Sequence, residues 1–112
     1  MSQYKAILID PFERKLSWVE LQNDNIDCLH KVMRCDVFTV GTYLDNKGTC
    51  LYVDDEGLFK NEQAYFVILG IDNVFAGRSL VVGTDEMGGS ITPTVSIDVL
   101  ESKVRWMEPR EE

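Results

Sequence analysis

Short apolar runs, each ended by turn-forming residues, alternate along most of the chain. Runs of this length that are rich in β-branched and aromatic residues are typical of strands. The Asp10–Arg14 segment contains Asp-Pro and the Asp45–Gly48 segment reads DNKG, so each favours a turn that joins an antiparallel hairpin. The unbroken run AYFVIL predicts a central strand covered on both faces. The predicted strands are Tyr4–Ile9, Lys15–Leu21, Val37–Leu44, Thr49–Asp54, Ala64–Leu69 and Ser79–Gly83.

One segment shows helical spacing with two distinct faces. Its apolar residues recur every three or four positions and its polar residues, His30 among them, lie on the other side, which predicts an amphipathic helix over 26–35. Residues 23–25 offer oxygens to cap its start. Ser96 favours a second, short helix over 97–102, and the alternating KVRWM after it fits either a final strand or more of that helix.

Together these elements predict an α+β fold in a single domain spanning residues 1–112. We expect one mostly antiparallel sheet of about five to seven strands, with one or two helices packed on one face. Residues 84–90 (TDEMGGS) predict a flexible polar loop, and residues 108–112 a loose tail.

Composition narrows the function. The chain has 112 residues and a formal net charge of −8, and such a surface repels phosphate backbones and anionic membranes. We therefore expect no direct binding to nucleic acid or membranes. The N-terminus lacks the pattern of a signal peptide, no run is long enough to span a bilayer, and the three cysteines include no C-x-x-C pair. These features predict a cytoplasmic protein with reduced thiols.

Three adjacent acids, Asp54, Asp55 and Glu56, follow a predicted strand. Adjacent carboxylates can hold a hard cation, but neighbouring strand residues face opposite sides, and the segment lacks the spacing of an EF-hand loop. Gly57 favours a turn. The acids therefore fit a structural turn, a contact with a partner or ligand, or a metal site.

Asp10 ends a buried strand and could serve as an acid or base, especially near Asp54. The favoured interpretation is that it accepts backbone N–H bonds within its own turn before Pro11, a common role of Asp, because catalysis would need a second group that converges on it. His30 falls on the polar side of its helix, away from Cys28, so no helical Cys-His pair is expected.

The ligand-binding candidate is the segment Gly77, Arg78 and Ser79. Glycine lets a backbone approach closely, arginine can bind a phosphate or carboxylate with two N–H groups, and serine adds a hydroxyl. With Gly83 and residues 88–90 the segment could hold a small anion, although it matches neither a P-loop nor a dinucleotide fingerprint. The other interpretation is a turn glycine before a core strand, with Arg78 paired to an acid.

Four stretches resemble one family of small acidic proteins common in bacteriophages and mobile elements. They are KAILIDP (5–11), LYVDDEGL (51–58), FVILG (66–70) and AGRSLVVG (76–83). The family is catalogued as domain of unknown function three-eight-four-six, and the chain is similar to it over roughly residues 4 to 107. The resemblance implies a phage or mobile-element setting, in which such proteins often act by binding host components. It brings no assigned active site.

Three functions remain open from the sequence. The favoured one is a non-enzymatic protein that inhibits or sequesters a host factor, as in counter-defence, through acids that meet a basic surface. The alternative is a small-ligand binder that holds a nucleotide or other anionic metabolite with Gly77 and Arg78. The third is a metal-dependent hydrolase using Asp10, Asp54 and Asp55, ranked last because no nucleophile–base pair or full ligand set appears. No cofactor is predicted, and a homo-oligomer stays open. The predicted partner-binding acids are Asp54, Asp55, Glu56, Asp85 and Glu86.

Overall fold

The computed structural model describes residues 3–22, 26–33, 38–45, 48–55, 64–87 and 89–107. Its strands are β1 (Gln3–Asp10), β2 (Lys15–Gln22), β3 (Phe38–Tyr43), β4 (Cys50–Asp54), β5 (Tyr65–Ile68), β6 (Val74–Ala76), β7 (Ser79–Thr84), β8 (Ser90–Ile91) and β9 (Val104–Met107). Its helices are α1 (Ile26–Met33) and α2 (Ile97–Lys103). Within these residues no helix has the length and apolar character needed to cross a membrane.

The strands form two antiparallel sheets, so the prediction of one sheet is wrong. The large sheet has the order β2-β1-β7-β4-β3, with β8 paired to the end of β7. The small sheet has the order β6-β5-β9. The error arises because β5, the apolar run at 64–69, was expected in the middle of the only sheet. It is instead the middle strand of the small one, and only its alternate residues Phe66 and Ile68 are buried.

Both predicted hairpins are confirmed. β1 pairs with β2 without interruption from Gln3↔Gln22 to Asp10↔Lys15. β3 pairs with β4, and this register shifts between Val40 and Thr42, which makes a bulge at Gly41.

Strand β7 is the centre of the large sheet, as its continuous apolar sequence suggests. Five of its six residues are buried, because it has strands on both sides and packed layers on both faces. Alternation sends Leu80 and Val82 to one face, where they pack with Leu29 and Met33 of α1. Val81 faces the other way and packs with the small sheet and α2.

The two helices therefore lie on opposite faces of the large sheet, and the expectation of helices on one face is wrong. The helices themselves are confirmed, since α1 covers most of the predicted range and α2 begins at Ile97. The predicted cap at residues 23–25 and the predicted tail at 108–112 lie outside the described residues. The segment after α2 is strand β9, which resolves the two alternatives for 103–107.

Candidate functional site

Asp10 and Arg78 meet at one end of the large sheet. Strand β1 pairs Ile9 with Ser79, so the next residue of β1 lies beside the residue that precedes β7. Nε of Arg78 is 3.4 Å from Oδ2 of Asp10, and the two side chains are only 14% and 8% exposed. Gly77 takes a φ of +81°, which favours glycine, and its N–H donates to the Ala64 carbonyl (2.9 Å). The strand pairing thus places the Arg78 cation beside the Asp10 anion at a site that is largely shielded from solvent.

The other carboxylate oxygen of Asp10 holds its own turn. Oδ1 accepts hydrogen bonds from the backbone N–H groups of Phe12 (3.0 Å) and Glu13 (3.2 Å). This confirms the interpretation of Asp10 as a turn acceptor. The ring of Phe12 then lies over Arg78, with the guanidinium carbon 4.8 Å from the ring centroid. Both carboxylate oxygens of Asp10 and one face of the Arg78 guanidinium thus make contacts within the protein.

Ser79 is fully buried, and its hydroxyl donates to the Gly77 carbonyl (3.2 Å). The three predicted ligand-binding residues are adjacent at the start of β7, but the hydroxyl and the guanidinium make internal contacts. Gly83 and residues 89–90 lie at the other end of β7, because β8 pairs with its last two residues. The structure does not bring these glycines to Arg78.

The acids after β4 differ sharply in exposure. Asp54, the last residue of β4, is 8% exposed, whereas Asp55, in the turn that follows, is exposed to solvent. Strand β4 pairs Tyr52 with Leu80, and the same register continued by two residues places Asp54 level with Arg78. Asp54 therefore offers little surface to a partner, and Glu56 lies outside the described residues.

Asp85 and Glu86 lie at the opposite end of β7 from Asp54 and Asp55. The separation is about 20 Å, at roughly 3.3 Å per residue along the strand. The predicted acids that the structure describes therefore lie at two separate ends of β7. This separation depends on the strand register, which no local pattern in the sequence determines.

The segment predicted as a flexible polar loop contains a hydrogen-bonded turn, and its last residue belongs to β8. Oδ1 of Asp85 accepts hydrogen bonds from the N–H groups of Met87 (2.9 Å) and Gly89 (2.7 Å). The Asp85 N–H donates to the Gly89 carbonyl (2.9 Å), which closes the turn. Met87 is 95% exposed at its tip. Met87 was not among the predicted site residues. The available signal was its position between polar residues and glycines, where no neighbouring apolar residue predicts burial.

The histidine, cysteine and acidic side chains that could bind a metal or act as a nucleophile are poorly placed for these roles. Within the described residues no three His, Cys, Asp or Glu side chains lie close enough together to hold a metal ion. His30 packs edge-on against the Phe38 ring, with centroids 5.2 Å apart. Cys50 is a buried free thiol. Burial raises the pKa of the Cys50 thiol, and hydrogen bonds with Thr84 and Tyr52 lower it in part, so the thiol is a poor nucleophile near neutral pH.

The comparison with protein families is decisive on one point. The model of a family described as Domain of unknown function (DUF3846) matches residues 4–103. The chain belongs to this family. The match confirms the resemblance carried by KAILIDP, LYVDDEGL, FVILG and AGRSLVVG, and the DUF3846 description names no activity. No curated protein and no solved structure matches the chain.

Proposed function

We propose that this DUF3846 chain is a non-enzymatic binding protein that attaches to a basic surface of a partner protein. In the phage or mobile-element setting that the resemblance implies, the partner is a host factor that the chain inhibits or sequesters. The Asp85–Gly89 turn is the contact that we assign to this function.

The observation that carries the proposal is the exposure of Met87, whose backbone N–H is bonded to the Asp85 carboxylate. The Asp85 carboxylate accepts hydrogen bonds from the Met87 and Gly89 N–H groups, and this lowers the entropy cost of presenting Met87 to a partner. A methionine side chain is polarizable and adapts to many apolar surfaces. Glu86 beside it is exposed and, within the described residues, makes no hydrogen bond or ion pair.

The charge of the chain supports a basic partner. A net charge of −8 attracts a positive surface over several ångströms and raises the rate of encounter. The ligand-binding alternative has less support, because an anion at Arg78 would have to displace Asp10 and enter beneath the Phe12 ring. The hydrolase alternative would need groups that the described residues do not bring together.

Two variants of the turn test the proposal. The wild-type chain is immobilised and exposed to a lysate of the host, and retained proteins are identified after washes at low and high salt. Glu86→Lys and Met87→Ser should each abolish retention of the specific partner, because one reverses the charge and the other removes the apolar contact. Asp72→Lys is the matched control, since it reverses an exposed acid on the turn before β6.

The partner should elute as salt is raised, since salt screens exposed charges. Retention of the same partner by both turn variants would show that the turn is not the binding surface. Loss of retention with Asp72→Lys as well would show that total charge, and not this turn, determines binding.

A further inference from the structure

Strand β2 is an outer strand of the large sheet, and the direction of its backbone groups can be worked out. The Lys5 N–H in β1 donates to Oγ1 of Thr92, just after β8, so it points away from β2. In an antiparallel strand the N–H and C=O of one residue point to the same side, and successive residues alternate. The even-numbered residues of β1 therefore bond to β2.

The register of β1 and β2 then fixes which residues of β2 face outward. Ala6 pairs with Val19 and Leu8 pairs with Ser17, so the odd-numbered residues of β2 bond to β1. The backbone groups of Leu16, Trp18 and Glu20 point away from the sheet. Within the described part of the chain these three residues have no further hydrogen bond, whereas Gln22 takes part in another contact.

The two outer strands of the large sheet differ. Strand β3, at the opposite edge, is interrupted by the bulge at Gly41, a feature that hinders pairing with another strand. Strand β2 has eight residues and an uninterrupted register. It also carries Trp18, which is 41% exposed. A long, regular edge with an exposed aromatic residue is a template for another strand.

The charges on β2 favour a second copy of this chain as that strand. The chain as a whole carries −8, but β2 holds one cation, Lys15, and one anion, Glu20. An antiparallel pair of β2 strands centred on Trp18 places Glu20 opposite Leu16 of the partner copy, and Lys15 opposite Leu21. No like charges face each other across this pair, whereas most of the remaining surface would repel a copy.

We infer that two copies of this chain associate through β2, which pairs with itself about a two-fold axis at Trp18. Leu16, Trp18 and Glu20 of each copy then donate and accept backbone hydrogen bonds across the axis, and the two Trp18 side chains meet at the centre. The large sheets join into one continuous sheet. This inference rests on β2 and not on the Asp85–Gly89 turn, so either can fail alone.

Amide hydrogen exchange of the full chain, measured residue by residue by NMR, gives the sharpest test. At high concentration the amides of Leu16, Trp18 and Glu20 should gain protection, and on dilution they should lose it. The amides of Ser17 and Val19 should stay protected throughout, because they bond to β1. Sedimentation over about a thousand-fold range of concentration should show the mass double, since interfaces of one strand pair are small and dissociate readily.

Variants of β2 distinguish a loss of pairing between copies from a loss of folding. Trp18→Lys places two cations opposite each other and should leave a single-copy species at all concentrations. Glu20→Pro removes only an outward N–H, so it should also abolish pairing while the hairpin with β1 persists. Val40→Lys, on the opposite edge, is the matched control and should leave pairing unchanged. Circular dichroism checks that each variant is folded.

Salt distinguishes this association from the proposed partner binding. Two chains of the same net charge repel, so added salt should strengthen pairing through β2, whereas it should weaken binding of a basic partner. A wild-type chain that remains a single copy at the highest concentration would refute the inference. Concentration-dependent association that survives Trp18→Lys and Glu20→Pro, or is lost in Val40→Lys, would also refute it. Protection of the β2 amides by another protein but not by a second copy would identify a different occupant of the edge.

Discussion

Replacing Asp10, a buried acid with several contacts, should destabilise this protein strongly. Its carboxylate has two separate roles, one for each oxygen. Oδ1 accepts two backbone N–H bonds in the β1–β2 turn, and Oδ2 contacts Arg78. Asp10→Ala removes both roles, whereas Asp10→Asn keeps an oxygen for the turn and removes only the charge.

The contribution of each role to the free energy of unfolding can be estimated from these contacts. A hydrogen bond that holds a turn contributes about 1 kcal/mol, so the two N–H bonds together contribute about 2 kcal/mol. Removing one partner of a buried ion pair costs about 3 kcal/mol, and the lower end of the usual range applies because Arg78 keeps its contact with the Phe12 ring. Asp10→Ala should therefore cost roughly 4 to 5 kcal/mol and Asp10→Asn roughly 3 kcal/mol.

Urea unfolding, followed by circular dichroism, measures the stability of both variants. The free energy of unfolding is extrapolated to zero urea with the same dependence on urea concentration for every variant. Arg78→Met is the matched background, because it removes the cation and keeps a long side chain. In that background Asp10→Asn should cost less than about 1 kcal/mol, since the ion pair is already gone. Equal losses for Asp10→Ala and Asp10→Asn would show that the turn bonds contribute nothing. If Asp10→Asn in the wild-type chain left the free energy of unfolding almost unchanged, the ion pair would contribute nothing to stability.

Further predictions concern the thiol, the phenol and two glycines. Burial raises the pKa of both Cys50 and Tyr52 in the folded protein. Their contribution to the free energy of unfolding is therefore full at pH values below their usual pKa and is lost as the pH rises through the raised pKa. The free energy of unfolding should fall in alkaline solution, and Tyr52→Phe should lessen that fall. Gly41→Ala should cost about 1 to 3 kcal/mol in urea unfolding, because its Cβ would lie 2.8 Å from Cγ1 of Val53, and Val53→Ala should relieve much of the loss. Gly70→Ala should cost about 1 kcal/mol, since Gly70 has a φ of +91° and open space around it.

The elements that local pattern determines were predictable. Alternation, turn residues and helical spacing indicated both hairpins, α1 and the buried strand β7, and each is present. Helix α2 was predicted from Ser96, which is the N-cap residue, although its side chain makes no capping hydrogen bond. Strands β6 and β8 were missed because they have three and two residues, too few for a pattern to show. The division into two sheets was missed because it depends on which strands pair, and pairing between distant segments leaves no local signal.

The candidate site was predicted in part for the same reason. The alternative that Arg78 pairs with an acid was open from the sequence, but the identity of Asp10 follows only from the β1–β7 register. Both Asp54 and Asp55 were predicted to contact a partner, and the burial of Asp54 was not foreseen, because it depends on the neighbours that the strand pairing places around it. The separation of Asp55 from Asp85 was not foreseen either, because the two acids appear equivalent in composition and charge.

The acids at the two ends of β7 differ in their contacts, and this difference is the reason that we propose the Thr84 end as the binding surface. At the Arg78 end, the carboxylate of Asp10 is buried and bonded, so replacing it changes stability. At the Thr84 end, Asp85 also supports the backbone, but the side chains of Glu86 and Met87 extend into solvent. Glu86→Lys and Met87→Ser should accordingly leave the free energy of unfolding within about 0.5 kcal/mol of wild type, because they remove no internal contact. A loss of partner binding without a loss of stability would then assign these residues to recognition, whereas a loss of both would return the turn to a structural role.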